Sequence, residues 1–195
     1  YASELARYTG VHVYLKLENQ QETGAFKLRG AANRLLALTL AERQRGVVTV
    51  STGNHGRAVA YVAQRLGMRA VICVPELVLP HKVAAMRSLG AEVVIHGRTQ
   101  DEAELHALHL QAEQGLTLVS AFDEPYIIAG QGTIGLEILE ELPQVDTVLV
   151  PLSGGGLLGG MAVAFKSASP NIRMVGVCQE LGPAMYLSLQ AGTPM

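Results

Sequence analysis

From Gly46 onward, six short runs of β-branched and apolar residues alternate with longer stretches of helical spacing. Such a chain of βα units has little choice but a parallel sheet covered by helices, an α/β fold. The predicted strands are Val47–Val50, Ala70–Val74, Glu92–Ile95, residues 116–119, residues 147–150 and Arg173–Val177. They are continuous apolar runs rather than alternating ones, as expected of strands buried on both faces. Between them Val59, Val62, Ala63 and Leu66 share a helical face, and Gly67, Gly90 and Gly115 stand where helices end in left-handed backbone. Ahead of Gly46, residues 11–17 predict a strand and residues 26–38 a helix. Repeats, low-complexity tracts and long linkers are missing from the sequence.

With 49% hydrophobic and 16% charged residues in a chain of 195, a full core can form and disorder is excluded. Fifteen Lys and Arg against seventeen Asp and Glu leave a net charge of −2, with no basic cluster and no Trp. Nucleic acid and membrane surfaces are therefore not expected partners. Cys73 and Cys178 each sit in an apolar run and make no disulfide framework, which fits a reducing cytoplasm. The uncharged stretch 147–165 approaches the length of a membrane span but contains Pro151, Ser153 and five glycines. Strand, loop and helix are expected there instead. The chain starts at Tyr1 without an initiator Met and stops just after a predicted helix, as expected of a piece of a longer protein.

Three loops carry chemistry. Ser153-Gly154-Gly155-Gly156-Leu157 lies between a predicted strand and helix, where bare N–H groups and a helix dipole suit a phosphate. A tight turn forced by close packing is the alternative. Ser51-Thr52-Gly53-Asn54-His55-Gly56 also joins strand to helix, and its polar groups suit a carboxylate. A plain helix cap would need fewer of them. In Thr23-Gly24-Ala25-Phe26-Lys27-Leu28-Arg29-Gly30, a desolvated Lys27 would be a nucleophile for a Schiff base, whereas a solvated one would be an ordinary surface charge.

Two other patterns are weaker in context. Gly130-Gln131-Gly132-Thr133-Ile134-Gly135 matches G-x-G-x-x-G, but Pro125 opens that segment as a helix and no acidic residue follows the next strand. Close helix packing explains these glycines without a dinucleotide. Glu102, His106 and His109 share a helical face at metal-compatible spacing, yet a solvated polar face accounts for them and no metal is expected. Zinc hydrolysis and acyl transfer find neither a Cys/His cluster nor a G-x-S-x-G elbow.

Taken in order, T-G-A-F-K-L-R-G-A, S-T-G-N-H-G-R-A-V-A and P-L-S-G-G-G-L closely resemble the serine/threonine dehydratase family of pyridoxal-phosphate enzymes, of fold type II. The stretch from Phe122-Asp-Glu-Pro to Ile128-Ala-Gly-Gln-Gly-Thr extends the resemblance over essentially the whole chain. Gln179-Glu-Leu-Gly-Pro-Ala-Met and Val150-Pro-Leu-Ser-Gly-Gly-Gly are most similar to hydroxyectoine-utilisation dehydratases.

The resemblance implies two domains, each a mainly parallel sheet flanked by helices. Residues 1–45 and 123–195 would form a larger, incomplete cofactor-binding domain, and residues 46–122 a smaller mobile one whose closure excludes water. It implies that Lys27 holds pyridoxal 5'-phosphate as a Schiff base and acts as the base at Cα, with Phe26 against the pyridine ring. Asn54 would bond the phenolic oxygen, while Ser153, Gly154, Gly155, Gly156 and Leu157 cradle the phosphate. Ser51, Thr52, Asn54 and His55 would hold the substrate carboxylate.

The implied reaction is elimination of water from a small β-hydroxy amino acid such as threonine or serine, followed by hydrolysis of the released enamine to a 2-oxo acid and ammonia. The implied assembly is a homo-oligomer. A nicotinamide-dependent oxidoreductase and a non-catalytic binding domain are the readings from other classes. Thr52 stands where serine racemases carry a second Ser, so a proton donor for racemisation is not expected. Tyr186 stands where the divalent-cation site of some relatives needs Asp, beside Glu180 and the carbonyl of Ala184. The polar residue that faces the pyridine nitrogen in the family falls beyond Met195.

Overall fold

Three helices precede the first strand in the computed structural model, which describes residues 1–194: α1 (Ser3–Thr9), α2 (Lys27–Leu36) and α3 (Leu40–Arg45). Thr39 and Glu42 cap α3 reciprocally, each satisfying a main-chain N–H of the other. The predicted strand at 11–17 is not formed. Its apolar residues Val11, Tyr14, Leu15 and Leu17 are exposed, and no strand among the described residues pairs with it. An apolar pattern needs a neighbouring ladder to become a strand, since its backbone groups must otherwise bond to water.

The central sheet consists of β1 (Val47–Val50), β2 (Ala70–Val74), β3 (Glu92–Ile95) and β4 (Thr117–Leu118), all parallel in the order β3-β2-β1-β4. The predicted strand at 116–119 keeps only these two ladder residues, with Leu116 and Val119 buried at its ends. Alternate side chains take opposite faces. Val47, Ile72 and Val74 meet α4 (Asn54–Arg65), α5 (Pro80–Ser88) and α2, while Val48, Val71 and Cys73 meet α6 (Gln100–Gln114). Gly67, Gly90 and Gly115 have φ of +63°, +78° and +65°, the left-handed backbone expected after a helix. Glu102 is committed to a capping box with Thr99 at the start of α6, and His106 stacks on His96 at 4.1 Å. Among the described residues no three His, Cys, Asp or Glu side chains are grouped as a metal site would need.

The second sheet pairs β5 (Thr147–Pro151) with β6 (Arg173–Val177), also parallel, with α7 (Pro125–Glu141), α8 (Gly156–Ala168) and α9 (Ala184–Ala191) completing the chain. Val148 and Val150 pack with Ile134, Met161, Phe165 and Ile172. Leu149, on the opposite face, is 67% exposed. Burial on both faces therefore holds for β1 and β2 but not for β5, because no helix among the described residues covers that side.

The G-x-G-x-x-G pattern lies within α7, so the strand, loop and helix context of a dinucleotide site is absent. A Cβ on Gly130 would come 2.6 Å from Gly30, and one on Gly132 would come 2.8 Å from the Gly160 carbonyl. These glycines let α7 cross α2 and α8 at close range. Stretch 147–165 resolves into β5, a loop and most of α8, and among the described residues no helix is long and apolar enough to cross a membrane.

Candidate active site

The helices after β1 and β2 cover one face of the central sheet and the helix after β3 the other, so the winding reverses between β1 and β4. At such a reversal the connections diverge beyond the carboxyl ends of the strands and leave a crevice. The Ser51–His55 loop leaves β1 at this point, and residues 119–122 leave β4 beside it.

Lys27 enters the same place from α2, of which it is the first residue. Its amine donates to the carbonyl of Ala121 and lies 5.3 Å from the Phe26 ring centre. Burial lowers its pKa from the ordinary 10.5. The positive end of the α2 dipole acts in the same direction, since it disfavours a cation there. The lysine is thus partly desolvated rather than a solvated surface charge. Phe26 is half-buried and packs on the Ile134, Val148 and Phe165 core.

The β1 loop presents main chain to the crevice. Among the described residues no acceptor meets the N–H of Thr52, Asn54 or His55, and α4 lacks a side-chain cap. Ser51 Oγ accepts from the Gly53 N–H at 3.2 Å, and Asn54 is exposed. His55, expected among the residues that hold the substrate carboxylate, turns its side chain inward. Its imidazole is 2% exposed, with Nε2 3.4 Å from the Val119 carbonyl, so only its main-chain N–H is left for an anion. Burial, reinforced by the charge of Lys27, pushes its pKa down to about 4, and the ring is neutral near pH 7. Thr49 Oγ1 donates to the same carbonyl at 2.7 Å.

The glycine loop opens α8 in the same uncapped way. Among the described residues nothing accepts from the N–H groups of Gly154, Gly155, Gly156 or Leu157. Each glycine also has a packing reason. A Cβ on Gly154 would come 2.8 Å from the Phe122 ring, one on Gly155 2.6 Å from Met185, and one on Gly156 2.6 Å from the Phe122 carbonyl. Gly155 adds a φ of +85°. The tight-turn and phosphate readings are therefore compatible: packing demands glycine, and the turn leaves four donors at a helix N-terminus.

This donor set fits pyridoxal phosphate, which needs an amine for its aldehyde and N–H groups for its phosphate. Ser153 is exposed beside the donors, and Leu157 packs into the core beneath them.

Several contributors had no signature in the sequence reading. The carbonyls of Val119 and Ala121 are main chain, available from any residue type. Arg29 donates to Glu18 at 2.8 Å and to Glu137 at 2.6 and 2.8 Å, tying α2 to α7 behind Lys27. Charged residues two positions after a candidate lysine, with acids elsewhere, were the available hint.

Over 191 residues the chain is 51% identical to a putative threonine dehydratase of Sinorhizobium fredii, covering 98% of this chain and 58% of the relative. To the L-threonine ammonia-lyase of Thermotoga maritima it is 47% identical over 192 residues, covering 98% of this chain and 48% of that one. The solved threonine deaminase isoform 2 from Solanum lycopersicum matches with a TM-score of 0.95 at 42% identity, over 99% of this chain and 53% of the other. Maize serine racemase matches with a TM-score of 0.96 at 35% identity, over 99% and 59%. The chain spans about half the length of the curated relatives it matches. The sequence profile of the pyridoxal-phosphate dependent enzymes covers residues 1–195, and the chain belongs to that family.

Proposed function

We propose that this chain is the lysine-bearing part of a lyase that eliminates water from a small β-hydroxy amino acid, threonine or serine first, the released enamine then taking up water to give a 2-oxo acid and ammonia. The desolvated Lys27 amine at the β1/β4 reversal is the observation that carries this reading. Lys27 would hold pyridoxal phosphate through Nζ, with Phe26 beside the ring, Asn54 at the phenolic oxygen and residues 153–157 at the phosphate. When bound, that group supplies an electron sink for the pair left on the substrate Cα. Lys27 Nζ takes the Cα proton. Ser51, Thr52, Asn54 and the His55 N–H hold the carboxylate at the start of α4, which also fixes the Cα over the lysine. Residues 46–122 move as the smaller domain against 1–45 and 123–195, and their closure excludes water.

Relatives named as threonine dehydratase or ammonia-lyase support this substrate class. The Gln179-Glu-Leu-Gly-Pro-Ala-Met stretch favours a finer reading, a dehydratase of hydroxyectoine catabolism, acting in the cytoplasm as a homo-oligomer. Borohydride reduction with pyridoxal phosphate, followed by peptide mapping, tests the cofactor. Fixed mass on Lys27 is the expected result, and mass scattered over surface lysines sinks the reading. A panel of threonine, serine and hydroxyectoine-derived amino acids on the full-length protein then separates the substrates.

A further inference from the structure

One four-residue stretch leaving β4 touches all three site loops. The Val119 carbonyl takes Thr49 and His55 from the β1 side, and the Ala121 carbonyl takes Lys27. The next residue, Phe122, lies along the glycine loop, its ring against Gly154 and its main chain against Gly156. The stretch is braced by its own bonds: the N–H groups of Phe122 and Asp123 reach Ser120 Oγ at 3.4 and 3.0 Å, and Glu124 accepts from the Ser120 N–H at 3.3 Å while pairing with Arg34 of α2. Phe122 is 46% exposed and takes no part in the buried core. Core packing does not account for an aromatic ring held half in water against Gly154.

We propose that Phe122 is a positioning residue: its ring fills the space that Gly154 leaves open while its main chain lies against Gly156, and so it fixes the glycine loop at one peptide's distance from the carbonyl that holds Lys27. The amine and the phosphate cradle then sit at a separation set by a rigid main-chain unit rather than by the facing of two sheets. The inference rests on the reading that Lys27 and the glycine loop serve one cofactor. Around the amine, the titratable group whose charge couples to it is His55 of α4, which is neutral near pH 7; β4 and its exit contribute carbonyls.

The test uses the full-length protein and its F122A, F122L and F122Y variants. Two quantities are measured: the affinity ratio of pyridoxal phosphate to pyridoxal, and, without cofactor, the pH midpoint for labelling Lys27 with acetic anhydride. In F122A the ratio is expected to fall about tenfold or more, as misplacement of a binding group by a fraction of an ångström does. The labelling midpoint moves up toward the ordinary 10.5. F122Y keeps both wild-type values, and F122L, which carries the test if F122A does not fold, lies between. A ratio and midpoint unchanged in F122A and F122L overturn the proposal, as does a loss of thermal stability alone. Wild-type protein without any preference for the phosphorylated aldehyde overturns the cofactor reading itself before a variant is made.

Discussion

The amine of Lys27 and the carbonyl of Ala121, 94 residues apart in the chain, are joined by a hydrogen bond inside the crevice between β1 and β4. The lysine is therefore held by main chain and not by a carboxylate. A carboxylate partner would raise the pKa of the amine, whereas at this carbonyl burial lowers it from the ordinary 10.5. Lys27→Ala is expected to lose the borohydride-fixed adduct and at least about 10²-fold in turnover, the contribution of a positioned base. Lys27→Arg should be equally inactive, because a guanidinium stays protonated and neither condenses with an aldehyde nor takes a proton. Mass spectrometry and initial rates check both.

His55 gives the fold an acid-sensitive joint. Its pKa is about 4 in the folded protein against 6.5 ordinarily, so the unfolded chain binds more protons between those values. Stability is complete above about pH 6.5 and is lost as pH falls toward 4, by roughly 2 kcal/mol at pH 5. Urea unfolding at pH 7.5 and pH 5, with His55→Asn as the control that removes this component, measures it. A His55→Asn protein with the same pH dependence as wild type would contradict the assignment.

Arg29 binds two carboxylates while its own side chain is 14% exposed. Arg29→Ala strands Glu18, itself 16% exposed, and should cost about 2–3 kcal/mol. Glu137 is 40% exposed, so water screens its share, and Glu137→Gln should cost about 1 kcal/mol or less. The Glu137 pKa is lowered to about 2, mainly by its bond to Arg29. Its contribution is present above pH 4.5 and lost as pH falls toward 2, a window below that of His55. Denaturant titration of single and double variants separates the two acids.

Gly132 faces the Gly160 carbonyl, and a methyl there would come 2.8 Å from that oxygen. Gly132→Ala forces α7 and α8 apart and should destabilise by about 1–3 kcal/mol, the usual cost of overpacking. Gly53→Ala, in the β1 loop, has open space around its Cβ and should change stability much less. Thermal unfolding of the pair distinguishes a packing glycine from one in open space.

All six strands of the repeating part were legible, because buried parallel strands announce themselves as short apolar runs between helices. Residues 11–17 misled for the same reason: they carry an apolar pattern, but a strand also requires a neighbour, and sequence says nothing of that. Lys27, the β1 loop and the glycine loop were visible through residue type. His55 was visible but its direction was not, since a polar residue in a polar loop gives no hint that its ring turns inward to Val119. The stretch 119–122 contributes through carbonyls and a ring packed on a glycine, and these depend on where the chain passes rather than on what it is made of.

The reversal of winding between β1 and β4 also governs when the site comes into being. Lys27, the β1 loop, Ala121 and the glycine loop are far apart in sequence, and their meeting closes loops whose entropy is recovered only when the sheet is complete. Lys27 meets the Ala121 carbonyl only where β4 is docked beside β1. The setting that lowers the Lys27 pKa is thus a product of tertiary assembly and not of α2 alone.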